Sequence, residues 1–144
     1  MTETWMVAHD FSRCSDAALF EAGRLLAPLK GTLHLLHVHA PVQLEPQRQW
    51  GDATFELEND LRGRLEGLAA AVKQKHPGVE VAVSVVAGEP VGSILREAAR
   101  VGVDHIVVGT HGRTGLAHFV LGSVAERVVR EASVPVLLVR ESGA

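Results

Sequence analysis

The sequence predicts an α/β fold: an open, twisted, mainly parallel sheet of five strands with helices on both faces. Three observations carry this. Short apolar, β-prone runs alternate with amphipathic stretches of helical period along the whole chain. Glycine, proline and serine punctuate each change. Strands that alternate with helices make βαβ units, which place their strands parallel and cover both sheet faces.

The elements follow in order. Thr4 to His9 (TWMVAH) is the first strand. Ser12 or Ser15 caps the first helix, where Ala18, Ala22, Leu25, Leu26 and Leu29 recur at helical spacing until Gly31 closes the unit. Thr32 to His39 (TLHLLHVH) is the second strand. Phe55 to Lys75 is a long helix with Leu57, Leu61, Leu65, Leu68 and Val72 on one stripe, ended by Pro77-Gly78. Val79 to Val86 is the third strand. Glu89-Pro90 starts the next helix, with proline in the first turn, where its missing N–H costs nothing. Its apolar positions are Val91, Leu95 and Ala98. Asp104 to Val108 is the fourth strand, Ser123 to Ala132 the last helix and Val134 to Val139 the fifth strand. Pro41 to Ala53, which holds Trp50, reads as the one long loop, with Trp50 expected to pack onto the second helix rather than form a partner site.

The segment from Gly109 to Ser123 (GTHGRTGLAHFVLGS) concentrates the chemistry. Gly109, Gly112, Gly122 and Ser123 stand in the spacing G-x2-G-x9-G-S between a buried strand and a helix. Glycines let backbone N–H groups approach an anion, and a helix start adds unpaired donors, so a phosphate chain suits this place. In open parallel sheets ligands bind beyond the carboxyl ends of the strands. The same edge carries Ala8 to Ser12 after the first strand and His37 to His39 at the end of the second. Three loops therefore meet. A purely structural reading competes, in which the glycines make tight turns and Ser123 with Glu126 forms a capping box.

Composition sets bounds. With 144 residues, 47 % of them apolar, residues 1–144 fit a single domain. A net charge of −3 argues against nucleic acid as a partner. The single cysteine, Cys14, leaves no internal disulfide to form. The first residues lack a secretion signal, and no apolar run has the length of a membrane span, so a cytoplasmic location with no membrane contact is expected.

From Trp5 to Arg140 the chain resembles a single-domain universal stress protein. The residues that carry the resemblance are Asp10-Phe11-Ser12, the LLHV of Leu35 to Val38, and the GEP of Gly88 to Pro90. The glycine loop and the closing VPVLLVR complete it. The resemblance implies a Rossmann-like sheet of order 3-2-1-4-5 and, through the glycine motif, an ATP binder with Mg2+ arriving on the nucleotide. By position, Asp10 would contact the nucleoside end and Val38 the adenine. Gly109, Thr110, His111 and Gly112 would line ribose and phosphates. Gly122, Ser123 and Val124 would donate N–H groups, with the Ser123 hydroxyl on the phosphates. One departure falls on the adenine side: Ala8-His9-Asp10 stands where the family usually shows a proline, a small residue and the aspartate. The resemblance also implies a homodimer through antiparallel pairing of Val134 to Val139, an edge that would otherwise be an open template. Against this, Pro135 with the flanking charges Arg140 and Glu141 could blunt the strand.

The remaining candidates divide between chemistry and structure. Asp10 could simply stabilise its own turn. Arg113 could pair with a phosphate or stay solvated. His37 and His39 share one strand face while His34 points to the other, so the three cannot converge on a metal. His111 and His118 read as loop surface. Neither GxxxxGK[ST] nor GxSxG is present and Cys14 has no evident partner set, so no dedicated catalyst is expected, at most slow ATP hydrolysis. The expected role is regulatory: nucleotide orders the Thr110 to Leu121 loop and changes a surface read by an unknown protein partner. Two alternatives stand beside it, a scaffold of the same fold that binds no nucleotide and a sensor of AMP or a cyclic nucleotide.

Overall fold

Side-chain alternation along the strands sorts the core into two layers. Val7, Leu33, Leu35 and Val107 are buried on one face of the sheet; Met6, Leu36, Ile106 and Val108 are buried on the other. The computed structural model of the chain describes residues 2–41, 50–111 and 121–141, without the side chains of residues 50–52. Its strands are β1 (Thr4–Ala8), β2 (Thr32–His39), β3 (Glu80–Ala87), β4 (His105–Gly109) and β5 (Val136–Val139), and every neighbouring pair runs parallel in the order β3-β2-β1-β4-β5. Helices α1 (Arg13–Leu26) and α2 (Trp50–Lys75) cover the first face. Helices α3 (Pro90–Val101) and α4 (Ser123–Glu131) cover the second. The predicted fold class and strand order are those observed.

Several boundaries differ, each for a local reason. The first helix stops at Leu26, and Ala27–Leu29 continues as one 3-10 turn containing Pro28, which cannot donate to an α-helical ladder. Leu29 is consequently exposed rather than part of the apolar stripe. The second helix begins at Trp50, so residues 50–53 are helical and not loop; residues 42–49 and the Trp50 side chain lie outside the described residues. Phe55, near its start, stays exposed. Of the two serines offered as caps for α1, Ser12 is the one that serves, accepting from Ser15 N at 3.1 Å. Helix α3 starts at Pro90 as expected, and the Glu89 carboxylate caps it by accepting from Val91 N and Gly92 N.

Candidate functional site

Where β1 and β4 lead away in opposite directions, the sheet's carboxyl edge opens into a cleft of about 290 Å³. Ala8, His9 and Asp10 line it from the end of β1, and Leu36 and Val38 from β2. Pro90 and Ile94 of α3 close one side. Val108 to His111 and the first turn of α4, Gly122 to Ala125, form the opposite wall. A mostly apolar cleft with a few polar groups at one end is the usual form of a small-molecule site.

Asp10, Val38, Gly109, Thr110, His111, Gly122, Ser123 and Val124 are thus brought to one cleft. Gly112 and Arg113, together with His118 and most of the Thr110 to Leu121 loop, lie outside the described residues. Sequence reasoning named Val38 but missed the rest of the apolar lining. Leu36 and Val108 carry the signal for it, since both are strand positions on the α3–α4 face toward the carboxyl edge.

The β1–α1 turn is built around Asp10. Its Oδ1 accepts from Ser12 N at 3.0 Å and from the Ser15 hydroxyl at 2.7 Å, while its own N–H donates to Ser15 Oγ. Burial pushes the Asp10 carboxyl up, and the hydrogen bonds from Ser12 and Ser15 outweigh it, so the pKa sits below the ordinary carboxylate value. Asp10 Oδ1 is thus committed to the turn, and the residue also lines the cleft. His9, the residue of the departure, bonds to Asp16 of α1 through Nε2 and to its own turn through Nδ1. His34 pairs with Ser84, whereas His37 bonds to His9 O and His39 lies against Glu58, so the three histidines do part to opposite faces.

The β4–α4 wall departs from expectation at two glycines. A Cβ on Gly109 would lie 2.8 Å from Cys14 Sγ and 3.0 Å from the Cys14 backbone. The close passage of α1 is by itself enough to demand glycine there. The Cys14 thiol lies against Thr110 Oγ1 and Val139 O. Gly122 does not offer its N–H to the cleft, because that group donates to Thr110 O at 2.7 Å. It is also Gly122, not Ser123, that caps α4; Glu126 pairs with Arg130, and the predicted capping box is absent. The first helical bond runs from Glu126 N to Gly122 O, which leaves the N–H groups of Ser123, Val124 and Ala125 without a helical acceptor at the cleft wall. Thr110 N is bonded to Val139 O, and the Thr110 hydroxyl lies 3.1 Å from His111 Nδ1.

Among the described residues no group of three potential ligands could hold a metal ion, and no helix is long and apolar enough to cross a membrane.

Comparison with known proteins gives a consistent result. Residues 1–140 match the Universal stress protein family. The universal stress protein YxiE of Bacillus subtilis is 33 % identical over 97 % of this chain and 100 % of its own length. Universal stress protein MJ0577 of Methanocaldococcus jannaschii is 35 % identical over 91 residues, 59 % of this chain and 56 % of that relative. A solved structure of hypothetical protein MJ0577 superimposes with a TM-score of 0.76 at 29 % identity, covering 100 % of this chain and 99 % of that one. At the level of fold alone, the chain also resembles a universal stress protein solved in complex with cAMP (23 % identity, TM-score 0.67, covering 98 % of each chain). The same holds for one from Archaeoglobus fulgidus in complex with dAMP (19 %, 0.66, covering 96 % of this chain and 98 % of that one).

Proposed function

This chain belongs to the universal stress protein family, and we propose that it binds an adenine nucleotide in the cleft between β1, β4 and α4 as a regulatory ligand rather than as a substrate for rapid turnover. The observation that carries this reading is the wall of α4. Three consecutive N–H groups without helical acceptors, at Ser123, Val124 and Ala125, face a cleft whose other end is apolar. Such a wall suits phosphate oxygens, which gain from both the open donors and the positive end of the helix. The apolar end at Leu36, Val38 and Ile94 suits a purine ring. The cAMP and dAMP complexes of proteins with this fold point to the same ligand class.

In this reading the phosphates of ATP lie along Ser123 and Val124, with the exposed Ser123 hydroxyl beside them. Thr110 and His111 flank the ribose and phosphates; Gly112 and Arg113 complete that side. Asp10 meets the nucleoside. Mg2+ arrives on the phosphates, which supply most of its ligands. Calorimetric titration with MgATP, with MgGTP and MgAMP beside it, tests the proposal. Saturable binding of MgATP is expected, with GTP weaker. Protein shown to be free of carried-over nucleotide that gives neither heat nor a thermal shift would leave the scaffold reading instead.

The second partner proposed is another copy of this chain. Strand β5 pairs with β4 on one side and, among the described residues, with no strand on the other, and all four of its residues are only half-buried. An open edge of this kind favours pairing across a two-fold axis. Leu137→Lys should yield monomers in light scattering where the unaltered chain gives dimers; an unchanged mass would remove this interface.

A further inference from the structure

Phe11 stands in the left-handed region at φ 66°, a conformation that costs a bulky residue roughly 1–3 kcal/mol unless its surroundings impose it. The surroundings are specific. Phe11 N donates to His9 Nδ1 at 2.9 Å. Its ring lies edge-on to the His9 imidazole at 5.3 Å, tilted against His37 at 4.6 Å, and under the Arg64 guanidinium at 3.7 Å. An amide N–H can only donate, so Nδ1 of His9 must carry a lone pair, and the ring proton belongs on Nε2, 2.8 Å from Asp16 Oδ1. Asp10 is the residue between the two ends of the Nδ1 bond. Its position in the cleft is therefore held by an imidazole in one protonation state.

The charged and titratable groups around His9 come from every element packed on it. Asp16 of α1 and Asp10 of the turn favour a proton on the ring. Arg64 of α2 opposes it. His37 of β2 donates through Nδ1 to the His9 carbonyl at 2.7 Å, and behind it His39 faces Glu58 of α2. Burial of the His9 ring is the largest influence, and it keeps the neutral form favoured below the ordinary histidine range.

We propose that His9 is a positioning residue for the ligand cleft: neutral, its Nδ1 holds the strained Phe11 and with it the Asp10 turn, and protonation of Nδ1 releases that turn and weakens ligand binding. The inference rests on the nucleotide reading of the cleft. It gives the chain a direct link between acidification and ligand occupancy, made of groups that do not themselves touch the phosphates.

The test compares the full chain with two variants. His9→Asn keeps a side-chain acceptor able to bond the amide two residues on, without a titrating ring. Phe11→Gly removes the strain that has to be held. Between about pH 7.5 and a pH about one unit below the His9 midpoint, which nitrogen NMR locates, MgATP affinity of the unaltered protein should fall by about fivefold or more relative to each variant. Protonation of the nucleotide itself cancels in that comparison. Identical pH profiles for all three proteins would overturn the proposal. Nitrogen NMR of the ligand-free protein separates it from the nucleotide reading. The proposal requires an unprotonated Nδ1 on His9 at neutral pH and a Phe11 amide that shifts with the His9 midpoint. If MgATP binds at no pH, the nucleotide reading fails alone. A Phe11 amide indifferent to His9 titration overturns the positioning role whether or not nucleotide binds.

Discussion

The β1–α1 turn and the start of α4 face each other across one cleft, yet they treat their hydrogen-bonding groups in opposite ways. In the turn, Asp10 N, Phe11 N and Ser12 N all donate within the turn itself, to Ser15 Oγ, His9 Nδ1 and Asp10 Oδ1. At the start of α4, among the described residues, Gly122 N donates to Thr110 O, and the next three donors have no helical acceptor. The first region is closed on itself and spends packing on holding a strained residue, which suits it to positioning a single carboxylate. The second, among the described residues, presents consecutive donors beyond its helical ladder, which suits it to an anion. The contrast predicts that variants of the two regions fail differently: one loses ligand, the other loses geometry.

The largest effect is expected at the open wall. Gly122→Val places a branched side chain at the buried start of α4 and should lower MgATP affinity about a hundredfold, roughly 2.7 kcal/mol, in a protein that still melts cooperatively. Unchanged affinity would mean that phosphates do not lie there. Next comes Gly109, a glycine of the same wall that α1 crowds from behind. Because a Cβ on Gly109 runs into Cys14, Gly109→Ala should cost about 1–3 kcal/mol in denaturant unfolding. Loss of affinity without loss of stability would return Gly109 to the ligand.

A smaller effect sharpens the role of the turn. Asp10→Asn keeps an acceptor for Ser12 N and Ser15 but removes the charge. About a tenfold loss of affinity with little change in stability would assign the carboxylate to the nucleoside, and no loss would leave Asp10 a turn residue. The smallest expectation concerns pH. Burial of the rings lowers the pKa of His9, His34 and His37, so the unfolded chain takes up protons first as the solution is acidified. Their contribution to stability is complete above about pH 6.5 and is lost as pH falls through the lowered values. Asp10, also lowered, erodes stability at still lower pH. Thermal melts across this range should show a gradual first decline beginning near the histidine range; stability that rose on acidification would contradict the burial of these rings.

The same contrast separates what was legible in the sequence. Short apolar, β-prone runs located the strands, and helical spacing located three of the four helices nearly to their ends. Pro28 was visible, but that it would turn the last helical turn into a 3-10 turn depends on local geometry rather than on periodicity. Glycine spacing led to residues that line the cleft, but not to what two of them contact. Gly109 answers to a neighbouring helix and Gly122 bonds to Thr110, and both facts are tertiary. The tie between His9 and Phe11 left no sequence signal at all. Backbone sign and the identity of an accepting nitrogen are set by what packs around the turn, and a bulky residue at positive φ contradicts the local preference that sequence reading relies on.

One measurement addresses directly whether both regions clasp the same ligand. Amide NMR spectra recorded through a MgATP titration would follow Asp10 and Ser12 on one side and Ser123, Val124 and Ala125 on the other. A nucleotide spanning the cleft predicts that both sets shift and saturate with one common dissociation constant. Shifts confined to one set, or none at saturating nucleotide, would contradict the site as it is drawn here.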